Sequence, residues 1–299
     1  MRRTEIIVSS HSDFCFGVQR ALNIAKEALK KNRIVYSVGP IIHNPQVVSE
    51  FSREGLKIIN DVKEICALRA KGKSKKINLL IPSHGISPEV LRKNRIAFID
   101  TTCPLVERVQ RIVRDLSRKG YFIIIVGDKK HPEVRGLAGI AGKNFRVLKN
   151  KREAKAFNFP QGASAPAEKK LKRIALISQT TASVSNFKEI LSEIAKKDFK
   201  ELVSFNTICK NTIDRQSEAQ RIARRVEAMI VIGGKNSANT SKLAKACRKI
   251  NKNTCHIETR EDLKTEFLKG KKSIGIATGA STPPYAIKEV VERIRRNDI

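Results

Sequence analysis

Three of the six cysteines share a pattern that the other three lack. Cys15, Cys103 and Cys209 each follow a β-rich run, and each precedes an amphipathic helical pattern of about four turns and a short apolar strand. A glycine ends that strand 24 residues after the cysteine in all three cases. The spacing predicts an internal threefold repeat with a period of about 100 residues, with one thiol at a strand-to-helix turn in each repeat.

Three thiols at helix N-termini are a candidate metal site. The helix dipole is expected to favour the thiolate form of each. Three thiolates without a fourth suggest an iron–sulfur cluster with one iron left open, because a [4Fe–4S] cluster that only transfers electrons is usually held by four cysteines. An open iron can act as a Lewis acid on a substrate oxygen. Zinc bound by three cysteines and a water is an alternative, whereas the sequence contains no CxxC pair for a zinc ribbon or a thioredoxin-type site.

Polar loops recur at matched positions of the repeats. In the first two repeats a histidine lies 28 residues after the cysteine, and in the third a serine occupies that offset. A later apolar run in each repeat enters a second polar loop. Backbone N–H groups at helix N-termini, together with hydroxyls and imidazoles, suit an anion. The candidate anion ligands are His43, His84, His131, Thr180, Ser237, Asn239 and Ser281.

The alternation of strands and helices predicts an α/β fold with mostly parallel sheets, covered on both faces. The cysteines and polar loops all lie at the carboxyl ends of strands, where open α/β sheets bind ligands. Three similar domains around a pseudo-threefold axis would bring these ends together at a central metal-cluster site. We expect repeats at 15–102, at 103–205 with an insertion at 150–173, and at 206–299, the last joined by an N-terminal strand within 1–14.

The composition is strongly basic. The 299 residues include 60 Lys and Arg against 29 Asp and Glu, a formal net charge of +31. Three explanations of this charge are considered: a nucleic-acid partner, an anionic substrate or acidic protein partner, and compositional drift or heat adaptation. Basic residues are spread over the chain and aromatic residues make up only 5%, so platforms for stacking bases are scarce. A nucleic-acid-binding protein would also leave the cysteine repeat unexplained.

Neither membrane spans nor a secretory signal are expected. No apolar run approaches the length of a membrane span, and the first residues lack the apolar region of a signal peptide. The sequence therefore predicts a soluble, cytoplasmic protein.

Ordered motifs carry a family resemblance from about Ile6 to the C-terminal helix. They are, in order, "FCFGVQRA", "HNPQVV", "PSHGIS", "DTTCPLV", "HPEVRG", "SQTTASV", an Arg-Gln pair after Cys209, "GKNSANTSKL" and "GAST". With these motifs the chain resembles the 4-hydroxy-3-methylbut-2-enyl diphosphate reductases, which catalyse the last step of the non-mevalonate (MEP) isoprenoid pathway.

The resemblance implies a trefoil of three α/β domains around a [4Fe–4S] cluster on Cys15, Cys103 and Cys209. The substrate hydroxyl would bind the open iron, and two electrons and two protons would remove it as water to yield isopentenyl and dimethylallyl diphosphates. Glu133 matches the proton source, and Thr180 would hold the hydroxyl or relay the proton. The diphosphate ligands of the family match His43, His84, His131, Thr180, Ser237, Asn239 and Ser281.

The charge suggests a protein partner. A basic surface would steer an acidic electron donor of the ferredoxin or flavodoxin type. No membrane partner is expected.

One enzyme alternative keeps the architecture and changes the reaction. Quinolinate synthase is similar in outline, with one cluster cysteine from each of three related domains, but it condenses and dehydrates without net reduction. The "HNP", "HPEV" and "SQTT" motifs argue against it. One departure from the reductase pattern is Ala238, which stands where the family usually has a second serine. His11, His256, Cys66, Cys247 and Cys255 are expected to be structural.

Overall fold

The computed structural model describes residues 4–32, 34–70, 77–87, 97–159 and 173–296, in which strands and helices alternate. The strands in these ranges are Glu5–Val8 (β1), Val35–Val38 (β2), Leu56–Ile59 (β3), Leu79–Ile81 (β4), Phe98–Asp100 (β5), Phe122–Val126 (β6), Phe145–Leu148 (β7), Arg173–Ser178 (β8), Glu201–Ser204 (β9), Ala228–Ile232 (β10), Thr254–Ile257 (β11) and Ser273–Thr278 (β12). The α-helices are Phe16–Lys31, Pro45–Arg53, Val62–Ala70, Pro104–Arg118, Pro132–Ala141, Lys151–Ala156, Val184–Ile194, Lys210–Ala223, Ala238–Ile250, Thr265–Leu268 and Pro284–Arg296.

The strands of the described ranges form three parallel sheets of four strands, in the orders β3-β2-β4-β5, β7-β6-β8-β9 and β11-β10-β12-β1. The three orders are the same except that β1, from the start of the chain, fills the position that β5 and β9 fill in their sheets. Glu5 of β1 lies opposite Ser273 of β12. The predicted α/β class, the parallel sheets and the threefold repetition are confirmed.

The glycine of each repeat ends the first strand after its cysteine. The amides of Gly39, Gly127 and Gly233 donate, at 2.8, 3.0 and 2.9 Å, to the last carbonyl of the neighbouring strand, those of Ile59, Leu148 and Ile257 respectively. Gly39 and Gly233 have φ angles of +79° and +145°, which a residue with a Cβ rarely adopts. The constant spacing thus reflects a repeated strand ending.

Each sheet is buried on both faces. Along β6, Phe122, Ile124 and Val126 join one apolar cluster, and the alternate residues Ile123 and Ile125 join another. The helix Val184–Ile194 covers the first face, and the helices Pro104–Arg118 and Pro132–Ala141 cover the second. Such two-sided burial explains why this strand is apolar throughout.

The middle segment differs in part from its prediction as a surface insertion. Asn150 caps the helix Lys151–Ala156 by accepting the amide of Glu153, and Ala154 and Phe157 are buried in the core of the second sheet. Within residues 150–159, Ala154, Phe157 and the partly buried Phe159 therefore pack on that core, whereas most of the other side chains are exposed. The remainder of the insertion, 160–172, and the basic run 71–76 lie outside the described residues.

We propose the division into repeats at 15–102, 103–205 and 206–299 with 1–14. It is supported by the three separate sheets, and by the helix Phe16–Lys31, which packs Val18 and Leu22 into the core of the first sheet although β1 pairs in the third. Within the described ranges, no helix is both long enough and apolar enough to cross a bilayer.

Candidate functional site

Each of the three repeat cysteines caps a helix in the same way. Cys15, Cys103 and Cys209 have extended backbone angles, and their thiols accept no capping hydrogen bond. We refer to the helices that follow as the Cys15 helix (Phe16–Lys31), the Cys103 helix (Pro104–Arg118) and the Cys209 helix (Lys210–Ala223). Each thiol is thus available to a ligand at the N-terminus of its helix.

A backbone hydrogen bond fixes each cysteine to a loop that follows the third strand of its sheet. The amide of Cys15 donates to the carbonyl of Ala280 at 3.1 Å, that of Cys103 to Ser83 at 2.9 Å, and that of Cys209 to Thr180 at 2.9 Å. All three acceptors lie two residues beyond their strand. The predicted meeting of cysteines and polar loops at the carboxyl ends of strands is therefore present.

The Cys103 thiol lies against the start of the Cys15 helix. A Cβ added to Gly17 would lie 2.5 Å from Cys103 Sγ, so only glycine leaves room for that sulfur. Arg20 of the same helix donates from Nη1 to the carbonyl of Thr102 at 3.0 Å. The charged forms of Cys15 and Cys209 both raise the pKa of Cys103, because the three thiols lie close enough to interact electrostatically.

The expectation that the helix termini favour thiolates is wrong for two of the three groups. Burial raises the pKa of Cys15 and of Cys103, and the nearby amides of the first helical turn oppose this only in part. Desolvation of a charge outweighs the helix dipole here. Metal binding at these thiols is therefore coupled to the release of protons.

The three thiols are compatible with a multi-iron cluster. In the part of the chain that the structure describes, no three His, Cys, Asp or Glu side chains are close enough together to hold one metal ion. Zinc would need its three thiolates around one centre at about 2.3 Å, whereas a cluster binds each cysteine on a different iron. The three thiols are in mutual electrostatic range, and Cys103 Sγ occupies the room left by Gly17, which is compatible with the second arrangement.

Three histidines from two repeats form one cluster. The rings of His43 and His84 are stacked with centroids 5.2 Å apart, and the rings of His43 and His131 are tilted at 5.3 Å. His84 reaches this position because its loop packs on the helix Pro132–Ala141, where a Cβ added to Gly139 would lie 2.9 Å from Ser87. The sequence-predicted convergence of these imidazoles is thus present.

The histidine cluster is neutral and has unused hydrogen-bonding atoms. Burial lowers the pKa of all three imidazoles, that of His131 to about 3. His131 Nδ1 accepts the amide of Glu133 at 3.3 Å, which leaves the ring proton on Nε2. His43 Nε2 and His84 Nδ1 are buried without a partner among the described residues. Such unsatisfied groups are costly unless a ligand meets them, and an anion would do so.

The predicted serines lie beside the same cluster or begin a helix. Ser281 is buried and donates from Oγ to the carbonyl of His43 at 3.2 Å. Ser237 is buried and caps the helix Ala238–Ile250 by accepting the amide of Thr240. A Cβ on Gly234 would lie 3.1 Å from the carbonyl of His43, so the loop before Ser237 also packs on the histidine loop. Asn239 follows in the first helical turn and is half-buried.

Glu133 and Thr180 make a buried pair. Thr180 donates from its amide to Glu133 Oε1 at 2.7 Å and from its hydroxyl to Oε2 at 2.8 Å. Burial raises the pKa of Glu133 to about 7, although both hydrogen bonds and the charge of Lys242 oppose the rise. A carboxyl group with a pKa near neutrality can both give and take a proton at physiological pH.

Lys242 is a residue of this site that the sequence did not single out. Its Nζ donates to the carbonyl of Thr181 at 3.2 Å. Burial lowers its pKa, while Glu133 and Asp128 raise it. Lys242 lies within the quoted motif "GKNSANTSKL", but a lysine in the second turn of a helix is usually solvated, so only its burial reveals it.

The remaining histidines and cysteines have structural surroundings. His11 Nδ1 contacts Glu218 at 2.8 Å, and His256 Nε2 donates to the carbonyl of Gly233 at 2.8 Å. Burial raises the pKa of Cys247 to about 11 and that of Cys255 to about 12. Cys66 lies in the helix Val62–Ala70, away from the three repeat cysteines in the sequence.

Comparison with known proteins agrees with this geometry. A family model described as LytB protein matches residues 6–295. The chain belongs to the LytB family. A 4-hydroxy-3-methylbut-2-enyl diphosphate reductase of Caldanaerobacter subterraneus subsp. tengcongensis is 44% identical over 296 residues, covering 97% of this chain and 96% of the relative.

Two solved structures of LytB-like reductases share the fold. The E-1-hydroxy-2-methyl-but-2-enyl-4-diphosphate reductase from Plasmodium falciparum superposes with a TM-score of 0.85 at 28% identity, over 97% of this chain and 87% of that one. A second, titled (E)-4-hydroxy-3-methyl-but-2-enyl diphosphate reductase, the terminal enzyme of the non-mevalonate pathway, has a TM-score of 0.64 at 39% identity and covers 98% and 99%. The trefoil arrangement predicted for the LytB chain is consistent with both, and membership of the family implies an iron–sulfur cofactor.

The raised pKa of Glu133 predicts a pH-dependent effect of Glu133→Gln. The unfolded carboxyl titrates near 4.5 and the folded one near 7, so this group destabilises the fold increasingly as pH rises through that window. Relative to wild type, Glu133→Gln should gain about 3 kcal/mol in the free energy of unfolding between pH 4.5 and 8, measured by urea denaturation. The gain should level off above pH 7.

Glu218→Gln is the matched control with the opposite sign. Burial opposes ionisation of Glu218, but hydrogen bonds from Ser9, Ser10 and His11 lower its pKa to about 2. Its ionised form therefore stabilises the fold at every pH above 4.5, and Glu218→Gln should be less stable than wild type at pH 8. A Glu133→Gln difference that is flat across the pH range would contradict the assigned pKa.

Proposed function

We propose that the chain reduces (E)-4-hydroxy-3-methylbut-2-enyl diphosphate to isopentenyl and dimethylallyl diphosphates, with loss of water. The observation that carries the proposal is the shared loop structure: the loops that accept the amides of the three cysteines also carry His84, Thr180 and Ser281. A redox cofactor on the thiols would therefore lie beside a pocket built for an anion. The names of the relatives specify this reaction for those proteins.

The resident cofactor in this proposal is a [4Fe–4S] cluster held by Cys15, Cys103 and Cys209. When bound it would pass the two electrons of the reaction, one at a time, from an external donor to the substrate, and it would offer an iron without a protein ligand. The chain presents each thiol from a helix cap, where the three cysteines are partly buried.

The diphosphate would be held by the histidine cluster and the neighbouring helix terminus. The unpartnered atoms His43 Nε2 and His84 Nδ1 and the Nε2–H of His131 offer three positions for phosphate oxygens. Ser237, Asn239 and the N-terminal amides of the helix Ala238–Ile250 add polar groups at a positive helix dipole. Ser281, already bonded to the His43 loop, is placed to add a hydroxyl.

Glu133 and Thr180 are proposed to deliver protons. The reduction consumes two protons: one leaves with the substrate hydroxyl as water, and one is added to an allylic carbon. Glu133 is protonated in a large fraction of molecules near pH 7, and its proton can pass through the Thr180 hydroxyl, 2.8 Å from Oε2. Because the amide of Cys209 binds the Thr180 carbonyl, this relay is held next to the redox site.

An acidic donor of the ferredoxin or flavodoxin type is the proposed electron source. It is supported by the formal charge of +31 and by exposed apolar side chains beside two of the cysteine ligands, Phe16 at 71% and Leu105 at 40% exposed. A basic surface with an apolar centre suits transient docking of an acidic protein. The cytoplasmic location expected from the sequence stays a prediction.

The cluster assignment predicts different outcomes for two cysteine substitutions. Anaerobically purified protein should contain about four irons per chain and absorb broadly near 400 nm. Cys103→Ser should lose most of its iron and all reductase activity, because it removes a ligand. Cys247→Ser, at a buried cysteine of the helix Ala238–Ile250, should keep both. Equal iron loss in the two variants would contradict the assignment.

Neutral histidines predict that diphosphate binding takes up protons. An anion in contact with the imidazoles stabilises their charged forms and raises their lowered pKa values. Affinity for the substrate without reductant should therefore weaken as pH rises from 6 to 8, by up to about tenfold per unit for each proton taken up. Calorimetry in buffers of different ionisation enthalpy counts these protons.

His84→Gln tests the source of the protons. It keeps a hydrogen-bonding side chain of similar reach but cannot be charged, so the proton count should fall. A count of zero for the wild type, or an unchanged count in the variant, would remove the histidines from the role of titrating ligands.

The donor proposal predicts a strong dependence on salt. Reduction of the protein by an acidic ferredoxin should slow at least tenfold between about 20 mM and 0.5 M salt, because screening removes long-range steering. Reduction by an uncharged small reductant should change little over the same range. Equal salt responses would show that the charge does not guide the donor.

A further inference from the structure

Arg215, from the Arg-Gln pair of the family motifs, is buried in the Cys209 helix with 4% of its surface exposed. Its guanidinium donates in four directions. Nε binds Asn211 Oδ1 at 2.9 Å, Nη1 binds the hydroxyl and the carbonyl of Thr278 at 3.1 and 3.4 Å, and Nη2 binds the carbonyl of Asp13. A guanidinium is the side chain best suited to such a spread of acceptors, because its N–H groups are fixed in a plane.

These contacts join two of the cysteine ligands. Asp13 lies two residues before Cys15, and Thr278 lies two residues before Ala280, whose carbonyl accepts the amide of Cys15. Arg215 therefore holds the turn that carries Cys15, and the loop to which Cys15 is bonded, against the helix that Cys209 begins. The position of one thiol relative to another depends on this side chain.

The charge of Arg215 has no hydrogen-bonded counter-charge among the described residues. Its four acceptors are a side-chain amide, a hydroxyl and two carbonyls. The carboxylate of Glu218, one turn along the same helix, already accepts hydrogen bonds from Ser9, Ser10 and His11. A buried cation with neutral partners alone is costly to the fold.

The nearby groups able to supply the missing negative charge include the thiols themselves. Burial lowers the pKa of Arg215, whereas the charged forms of Cys15, Asp13, Cys209 and Glu218 raise it. The side-chain carboxylates of Asp13 and Glu218 do so without a hydrogen bond to the guanidinium in the described structure. Deprotonation of Cys15 and Cys209 on metal binding would place two thiolates in the field of this cation.

We propose that Arg215 is a positioning residue of the three-cysteine site, which holds the Cys15 turn against the Cys209 helix and supplies the buried positive charge that balances the loaded cluster. The inference rests on the proposed function. Three thiolates outweigh the charge of an oxidised [4Fe–4S] core by one, and each reduction adds another negative charge. A fixed cation in a low-dielectric interior therefore favours the reduced state and raises the reduction potential.

Three variants separate the effect of the Arg215 charge, the effect of its hydrogen bonds, and the effect of removing any charge from the Cys209 helix. Arg215→Met removes the charge and all four contacts, and Arg215→Lys keeps the charge but cannot reach four acceptors. Arg221→Met removes a charge from the same helix at an exposed position, where 70% of the side chain is accessible. The measurements are the midpoint potential of the cluster, from a redox titration followed by electron paramagnetic resonance, and the rate of iron release to a chelator.

In Arg215→Met the equilibrium constant for cluster reduction should fall at least tenfold, a shift of about 59 mV to more negative potential for one electron. Iron release should be at least threefold faster in Arg215→Met and in Arg215→Lys, and the potential of Arg215→Lys should lie nearer to that of wild type. Arg221→Met should leave both quantities within twofold. The inference would be overturned if, in Arg215→Met, both the equilibrium constant for cluster reduction and the rate of iron release lie within twofold of their wild-type values.

A variant that does not retain a cluster is still informative. If Arg215→Met melts like wild-type apoprotein but binds no iron, the positioning role is upheld. If Arg215→Met does not fold, the result for Arg215→Lys is decisive. Iron release at least threefold faster than in wild type supports the inference, and a smaller increase overturns it. A wild-type protein without iron would instead refute the proposed function, so the two failures are distinguishable.

Discussion

One hydrogen bond, made three times, holds the candidate site together. Each of the three repeat cysteines donates its amide to the loop after the third strand of a sheet, and that loop carries a residue of the proposed anion site: Ser83 precedes His84, Thr180 is itself the acceptor, and Ala280 precedes Ser281. A displacement of any one loop would move a thiol and a substrate ligand together. The geometry of the redox site and that of the binding site are therefore a single constraint, imposed by the pseudo-threefold fold.

Burial is the second determinant of the chemistry. The same desolvation that keeps three imidazoles neutral raises the pKa of Glu133 to about 7, so these four side chains carry little charge near neutral pH. Among the described residues, the cations Lys242, beside Glu133, and Arg215, beside the cysteines, hydrogen-bond to neutral acceptors. In the proposed function, a polyanionic ligand and an anionic cofactor would provide the negative charges that these groups lack.

Much of this could be predicted from the sequence because the repeat is visible in it. The constant distance from cysteine to glycine indicates three equivalent strand–helix–strand units, and the matched loops indicate where His43, His84 and His131 converge. Electrostatics could not be predicted in the same way. The thiol pKa values of Cys15 and Cys103 depend on burial, which outweighs the helix dipole, and Lys242 and Arg215 differ from solvated basic residues only in the folded chain. Residues 150–159 were also misjudged, because composition does not reveal that Phe157 fills a core.

The place of β1 has a consequence for biosynthesis. The first strand of the chain pairs with one of the last elements to be made, and the Cys15 amide finds its acceptor at Ala280. The first and second sheets contain only strands made before residue 205, so they can form while the ribosome is still translating. β1 cannot pair until β12, its partner in the third sheet, has been synthesised. The three repeat cysteines can therefore reach their final positions only after the third sheet has formed.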